Sequence, residues 1–77
     1  MKVEIITPET TLYEGEAEEV QLPGSDGSLG ILNNHAPLIT TLQKGKLRVK
    51  NAGKEESFDV NGGTVEVNTN KVTILAE

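Results

Sequence analysis

The residues of this chain that could do chemistry are few and widely spaced. The chain has a single histidine, His35, and no cysteine, so a thiolate nucleophile and a cysteine metal cage are both excluded. His35 has no second histidine or neighbouring carboxylate as a co-ligand, and no serine, histidine and aspartate stand at a spacing that would indicate a catalytic triad. We therefore predict no catalytic residue, no metal site and no cofactor, and we interpret His35 as a hydrogen-bonded residue of a turn or an interface.

Residues 24–30, GSDGSLG, have the glycine-rich composition of a phosphate-binding loop. They lack the Gly-Lys-Ser/Thr ending of such a loop, and they lead into an alternating apolar run, which is typical of a strand, whereas a phosphate loop opens a helix. We interpret this segment as a turn and predict that the chain is not an enzyme.

The overall charge argues against nucleic acid as the main partner. Seven basic against twelve acidic side chains give a net charge of −5 and a pI near 4.8, whereas a polyanion would select a basic surface. Tyr13 and Phe58 are the only aromatic residues, too few for the stacking surface on which single-stranded nucleic acids bind. A small oligonucleotide-binding barrel is therefore disfavoured.

Basic residues do alternate along one segment. Lys46, Arg48 and Lys50 share one face of a predicted strand and could form a basic stripe for a partner. A four-residue turn after this strand would instead place Lys50 opposite Glu55 and Lys46 opposite Asp59. These cross-strand pairs favour a solvated, self-neutralised face over a binding stripe.

The elements that position these residues are short strands. Apolar residues recur with a period of two along the whole chain, no stripe has the period of a helix, and turn residues rich in Gly, Asn and Pro recur every six to ten residues. The length allows one domain, residues 1–77, with a small core. The pattern predicts an all-β, antiparallel sandwich or barrel without a helical domain.

Turn lengths in the second half of the chain predict strand register. Turns at 51–54, at Asn61-Gly62 and at 68–71 would align four apolar residues in one row, provided that their strands stay in one sheet: Leu47, Phe58, Val65 and Ile74. On this register, the Phe58→Ala change should lower stability by about 3–5 kcal/mol if Phe58 is fully buried.

Residues 29–43 carry no formal charge. They are too few to span a bilayer as a helix, and Pro37 would break one. Two strands about a turn is one interpretation. The other is an uncharged surface patch for a partner protein, and the sequence leaves both open.

Another class of small all-β protein is the biotinyl or lipoyl carrier domain, which carries a lysine at a hairpin tip. Lys54 and Lys71 both lie near predicted turns, but neither has the flanking Met or Asp of a modified lysine. This class remains the alternative function.

Three segments together resemble the epsilon subunit of the F-type rotary ATP synthase: VQLPGSDGSLGILNNHAPLITTL over residues 20–42, NGGTVEV over 61–67 and KVTILA over 71–76. The resemblance covers essentially the whole chain. It implies a sandwich of about ten strands in the central stalk, which does no chemistry and links the gamma subunit to the membrane c-ring. The implied place is the cytoplasmic face of a bacterial plasma membrane, with membrane contact only through the complex.

The resemblance also implies the contact residues. His35, Ala36 and Thr40 are expected at the gamma subunit, and Ser25, Asp26, Gly27 and Ser28 at the c-ring.

Two departures from the family pattern concern these residues. Asn33-Asn34 replaces the usual Pro-Gly before the histidine, and because Asn tolerates the same turn conformations, the loop should survive. Ser28 stands where an acidic residue is common, so a charged contact with the ring falls to Asp26.

The chain reaches Glu77, where many members begin a two-helix domain, and without those helices we expect neither ATP binding nor inhibition of hydrolysis.

Overall fold

A computed structural model describes residues 1–77, and all regular structure in it is β-strand. The nine strands are β1 (Lys2–Ile6), β2 (Thr11–Glu16), β3 (Glu19–Gly24), β4 (Gly27–Leu32), β5 (Leu38–Leu42), β6 (Gly45–Asn51), β7 (Lys54–Val60), β8 (Gly63–Asn68) and β9 (Lys71–Ala76).

The strands form the two layers of a sandwich. One layer has the order β2-β1-β9-β8-β5 and the other β4-β3-β6-β7, and they are joined where Gly24 of β3 pairs with Leu42 of β5. The predicted all-β sandwich is therefore confirmed, with nine strands.

Neighbours in the sheets are antiparallel with one exception. Strands β1 and β9 run parallel, in register from Lys2 opposite Lys71 to Ile6 opposite Leu75. The predicted antiparallel sandwich thus contains one parallel pair, which places the first and last strands side by side in the middle of their layer. Alternation of side chains cannot reveal strand direction, because it is the same in both arrangements.

The core follows from the period-two alternation, because the inward positions of the strands are mostly apolar and the outward positions are mostly polar. All buried side chains are apolar, and no buried side-chain polar atom lacks a hydrogen bond. The larger fully buried residues come from both layers: Ile5, Leu22, Ile31, Leu47 and Ile74.

Two of the three predicted turns have the expected register. Leu47 lies opposite Phe58 across β6 and β7, and Val65 lies opposite Ile74 across β8 and β9. The two predicted charge pairs are also present, with Lys46 Nζ 3.9 Å from Asp59 Oδ1 and Lys50 Nζ 3.8 Å from Glu55 Oε1. Lys50 additionally reaches Glu19 Oε1 at 3.8 Å, so this face neutralises itself.

The third predicted turn, at Asn61-Gly62, is wrong. Strands β7 and β8 belong to different layers and do not pair, so Phe58 does not lie opposite Val65. Gly62 and Gly63 both have φ near 141°, a conformation open to glycine, and here it carries the chain from one layer to the other. Phe58 instead meets Tyr13 of β2 edge to face, with ring centroids 6.2 Å apart, where the ends of the two layers approach each other.

Candidate protein interface

Both predicted contact sets lie along one side of the sandwich, on the segment from the β3–β4 hairpin to β5. The tip of the hairpin, residues 25–28, stands at one end of β4, and the loop 33–37 stands at the other. Because β4 runs from Gly27 to Leu32, the two ends are separated by about 17 Å at the usual rise of a strand.

The hairpin tip is exposed but anchored. Gly24 pairs with Gly27 and so closes a tight turn around Ser25 and Asp26. The Ser25 N–H donates to Thr41 O at 3.0 Å, and the two hydroxyls of Ser25 and Thr41 lie 2.7 Å apart. The tip is thus fastened to β5, while the exposed Asp26 carboxylate forms no ion pair.

The loop between β4 and β5 is fixed by hydrogen bonds. Asn34 has a φ of 66°, a left-handed conformation that Asn tolerates, and its N–H donates to Asn70 Oδ1 at 3.2 Å. The His35 N–H donates to Leu32 O at 3.2 Å, and its Nδ1–H donates to Ala36 O at 2.7 Å. His35 is therefore a hydrogen-bonded turn residue, as predicted, and Asn33-Asn34 form a turn before it.

Thr40 occupies an inward position, since it pairs with the buried Val65. It lies at the open side of the sandwich, where a cleft of about 240 Å³ is lined by Thr40 and Leu38 of β5 and by Ser28 and Leu29 of β4. The structure thus brings Thr40, expected at gamma, and Ser28, expected at the ring, to one cleft. It leaves His35 and Ala36 at the far end of β4.

The largest apolar exposure adjoins this cleft and was not singled out from the sequence. Ile39 is 75% exposed on the outer face of β5, and Leu75, on the same face of the layer, is 53% exposed. Thr41 and Thr64 lie in the row of Leu75, whereas the exposed Glu66 lies directly opposite Ile39, so this surface combines apolar side chains with one carboxylate. The alternation of β5 could have revealed Ile39, because inward Leu38, Thr40 and Leu42 require it to point outward.

The remaining surface includes one larger cavity and four salt bridges. The largest cavity, about 720 Å³, is wide open, and most of the residues that line it are charged: Glu18, Glu19, Lys50, Lys54 and Glu55. No group of three or more His, Cys, Asp or Glu residues is placed to hold a metal ion. The Lys71 Nζ, considered above as a carrier lysine, lies 3.2 Å from Glu4 Oε1. The structure has no helix that could cross a membrane.

Comparison with known sequences gives a match over the full chain. Residues 1–77 match the family described as "ATP synthase, Delta/Epsilon chain, beta-sandwich domain". The "ATP synthase epsilon chain" of Caulobacter vibrioides is 45% identical over 73 residues, which cover 95% of this chain and 85% of that protein. The epsilon chains of Brevibacillus brevis and Leptospira interrogans are 49% and 44% identical, and the match covers all of this chain but only 59% and 61% of theirs.

Solved structures share the fold. A chain of the Euglena gracilis mitochondrial ATP synthase superposes with a TM-score of 0.89 over 96% of this chain and 48% of its own length. A chain of the central stalk and c-ring assembly of the Tetrahymena thermophila mitochondrial ATP synthase gives 0.83 over 99% and 62%. Both are 23% identical to this chain, so they support the assignment of the fold alone. The family match over all 77 residues and the identity to curated epsilon chains show that this chain belongs to the β-sandwich domain family of the ATP synthase delta/epsilon chains.

Proposed function

We propose that this chain is a non-catalytic subunit of the ATP synthase central stalk, which links the gamma subunit to the c-ring and so helps to couple ion translocation to ATP synthesis. The observation that carries the proposal is the family match over residues 1–77. This chain spans 85% of the length of the Caulobacter vibrioides epsilon chain, but only 59% and 61% of the lengths of those of Brevibacillus brevis and Leptospira interrogans. The activity of the whole protein is therefore part of the proposal.

The proposed gamma contact is the loop 33–37 together with β5. The loop presents Ala36 and the hydrogen-bonded His35 on a fixed backbone, and the neighbouring strand presents Ile39 without a covering side chain. An exposed apolar side chain on a rigid frame, with the carboxylate of Glu66 beside it, is typical of an interface that has an apolar centre and a polar rim. Thr40 lines the cleft on the inner side of β5, and its side chain helps to define the shape of that cleft.

The proposed c-ring contact is the hairpin tip formed by Ser25, Asp26, Gly27 and Ser28. The tip is exposed, and its single charge, on Asp26, is free to meet basic or amide groups. A wet, single-charge contact contributes little affinity, on the order of 1 kcal/mol or less. In this arrangement the subunit is peripheral and lies at the cytoplasmic face of a bacterial plasma membrane, and it reaches the membrane only through the ring.

Cross-linking in an assembled complex tests this orientation. The chain has no cysteine, so single cysteines can be introduced at the exposed Asp26 and at the exposed Ala36, which lie at opposite ends of β4. We expect Asp26→Cys to trap a ring subunit and Ala36→Cys to trap gamma in ATP synthase reconstituted with this chain. Thr11→Cys, on the far edge strand β2, should trap neither.

Two outcomes would contradict the proposal. Trapping of the same partner from both positions would show that the orientation is wrong. Complete assembly without any cross-link from either position would show that neither end of β4 is a contact.

A charge at Ile39 provides an energetic test. Ile39→Asp should lower the free energy of unfolding by about 1 kcal/mol or less, because the side chain is 75% exposed and the new carboxylate would stand opposite Glu66. Its affinity for gamma should fall at least about tenfold, because a carboxylate would be buried there without a partner.

The matched control is Thr11→Asp, an equally charged change on exposed β2 at the opposite edge of the same layer. Titration of isolated gamma with each variant, followed by calorimetry, measures the difference. Equal affinities of the two variants would exclude β5 from the gamma contact.

A further inference from the structure

We infer that Asn61-Gly62 is a site of spontaneous covalent modification in the folded protein, at which Asn61 converts through a cyclic imide to aspartate and isoaspartate. The inference rests on the combination of residue types and hydrogen bonding at the crossover between the two layers. It does not depend on the proposed function.

The reaction requires a side-chain amide and the backbone nitrogen that follows it. The Gly62 nitrogen, after losing its proton to water or hydroxide, attacks Asn61 Cγ, and ammonia leaves as the C–N bond of the imide forms. Water then opens the ring at one of two carbonyls. Opening on one side gives aspartate, and opening on the other gives isoaspartate, in which the main chain passes through the former side chain. Glycine as the following residue removes the steric barrier that a side chain would raise against ring closure.

The structure leaves this nitrogen without a hydrogen-bond partner, although Gly62 itself is a buried residue. Gly62 N–H donates no hydrogen bond within the protein, although its carbonyl accepts from Glu77 N–H at 3.0 Å and Asn61 N–H donates to Glu77 O at 3.3 Å. The Asn61 side chain is exposed and makes no hydrogen bond. Both reacting groups are therefore free of competing hydrogen bonds.

Three other asparagines differ in this respect. The N–H of Asn34, which follows Asn33, donates to Asn70 Oδ1. The N–H of His35, which follows Asn34, donates to Leu32 O. After Asn51, the N–H of Ala52 donates to Glu18 Oε1 at 2.6 Å. At these positions the backbone nitrogen must first break its hydrogen bond before it can attack. The residue that supplies this nitrogen also carries a side chain, which hinders ring closure. Asn61 is the one asparagine that combines a free following amide with glycine.

The location gives the modification a structural effect. Isoaspartate lengthens the main chain between the two groups that pair with Glu77, so both hydrogen bonds cannot keep their present geometry. It also places a new carboxylate near the carboxylate of Asp59, two residues earlier in the chain. We expect faster hydrogen exchange at the Glu77 amide in the isoaspartate form than in unmodified protein.

The experiment compares folded and unfolded chain. Intact protein is incubated at neutral to mildly alkaline pH, with and without urea, and peptide mapping follows the conversion of each asparagine. Isoaspartate is detected by methyl transfer from S-adenosylmethionine with an isoaspartyl carboxyl methyltransferase. We expect Asn61 to react first in the folded protein, at a rate within about tenfold of the urea rate, because a site protected by the fold would react only through rare opening.

The Asn61→Gln variant is the matched control, because the longer side chain of Gln closes the cyclic imide far more slowly. This variant should lose the early methyl transfer that reports isoaspartate, while conversion of the other asparagines is unchanged. Conversion of Asn61 in the folded protein more than about tenfold slower than in urea, or no faster than that of Asn51, would overturn the inference. Unchanged exchange at Glu77 in purified isoaspartate protein would overturn its structural consequence.

Discussion

The Gly63→Ala variant is expected to lose about 3 kcal/mol or more of its free energy of unfolding. Gly63 has a φ of 141°, in a region that residues with a Cβ rarely adopt. It pairs with Leu42 on one side and Ala76 on the other, and a Cβ at this position would overlap the Leu75 carbonyl oxygen and stand 3.1 Å from Ala76 Cα. The obstacle is backbone of a central strand, so it cannot move aside without breaking the ladder.

Gly53→Ala is the matched control for this variant. Gly53 also has a positive φ, 78°, but nothing lies within 4 Å of the place where its Cβ would be. Its loss should be only about 1–2 kcal/mol, the usual penalty of a left-handed conformation. Urea unfolding monitored by circular dichroism measures both values. Equal losses at the two glycines would show that close approach of β9 to Gly63 does not constrain the fold.

Leu47→Ala should lower the free energy of unfolding by about 2–5 kcal/mol, since Leu47 is fully buried in β6 and the change would leave a cavity between the layers. Its cross-strand neighbour Phe58 is only partly buried. Phe58→Ala should therefore cost less, about 1–3 kcal/mol, including the edge-to-face contact with Tyr13. The larger loss expected at Phe58 from the sequence alone depended on complete burial, which the structure does not show.

Chemical unfolding of the two variants, with Tyr13→Ala as a third, checks this order. Tyr13→Ala should remove the same aromatic contact, so that the double variant of Tyr13 and Phe58 loses less than the two single losses combined. A greater loss at Phe58 than at Leu47 would show that the contact between the layer ends contributes more than the central core.

Strand positions and local hairpins could be predicted from the sequence because both depend on neighbouring residues. The turns at 51–54 and 68–71 determined register correctly, since each connects two strands of one layer. The turn at Asn61-Gly62 has the composition of a hairpin, yet it serves as a crossover. Whether glycine returns a chain to its own sheet or sends it to the other depends on packing between the layers, which no local pattern contains.

The candidate interface could be predicted only in part for the same reason. The lack of charge in residues 29–43 indicated a partner surface or two buried strands. The structure shows two strands about a turn, with Ile31 and Leu42 buried and Ile39 75% exposed, and the partner contact stays a prediction. The convergence of Ser28 and Thr40 on one cleft depends on how β4 and β5, from different layers, lie across the open side of the sandwich. The expected roles of His35 and Asp26 came from family resemblance, because neither residue type implies a partner by itself.

The parallel pairing of β1 and β9 has a mechanical consequence. If the domain is pulled from the Lys2 end of β1 and the Ala76 end of β9, the two strands are drawn in opposite directions along a shared axis. The hydrogen bonds between them run across that axis, so all five registered pairs, from Lys2–Lys71 to Ile6–Leu75, carry the load together in shear. In an antiparallel terminal hairpin, the same pull would break the hydrogen-bonded residue pairs one after another, starting at the loaded end. The first and last strands are therefore joined in the geometry that resists extension best.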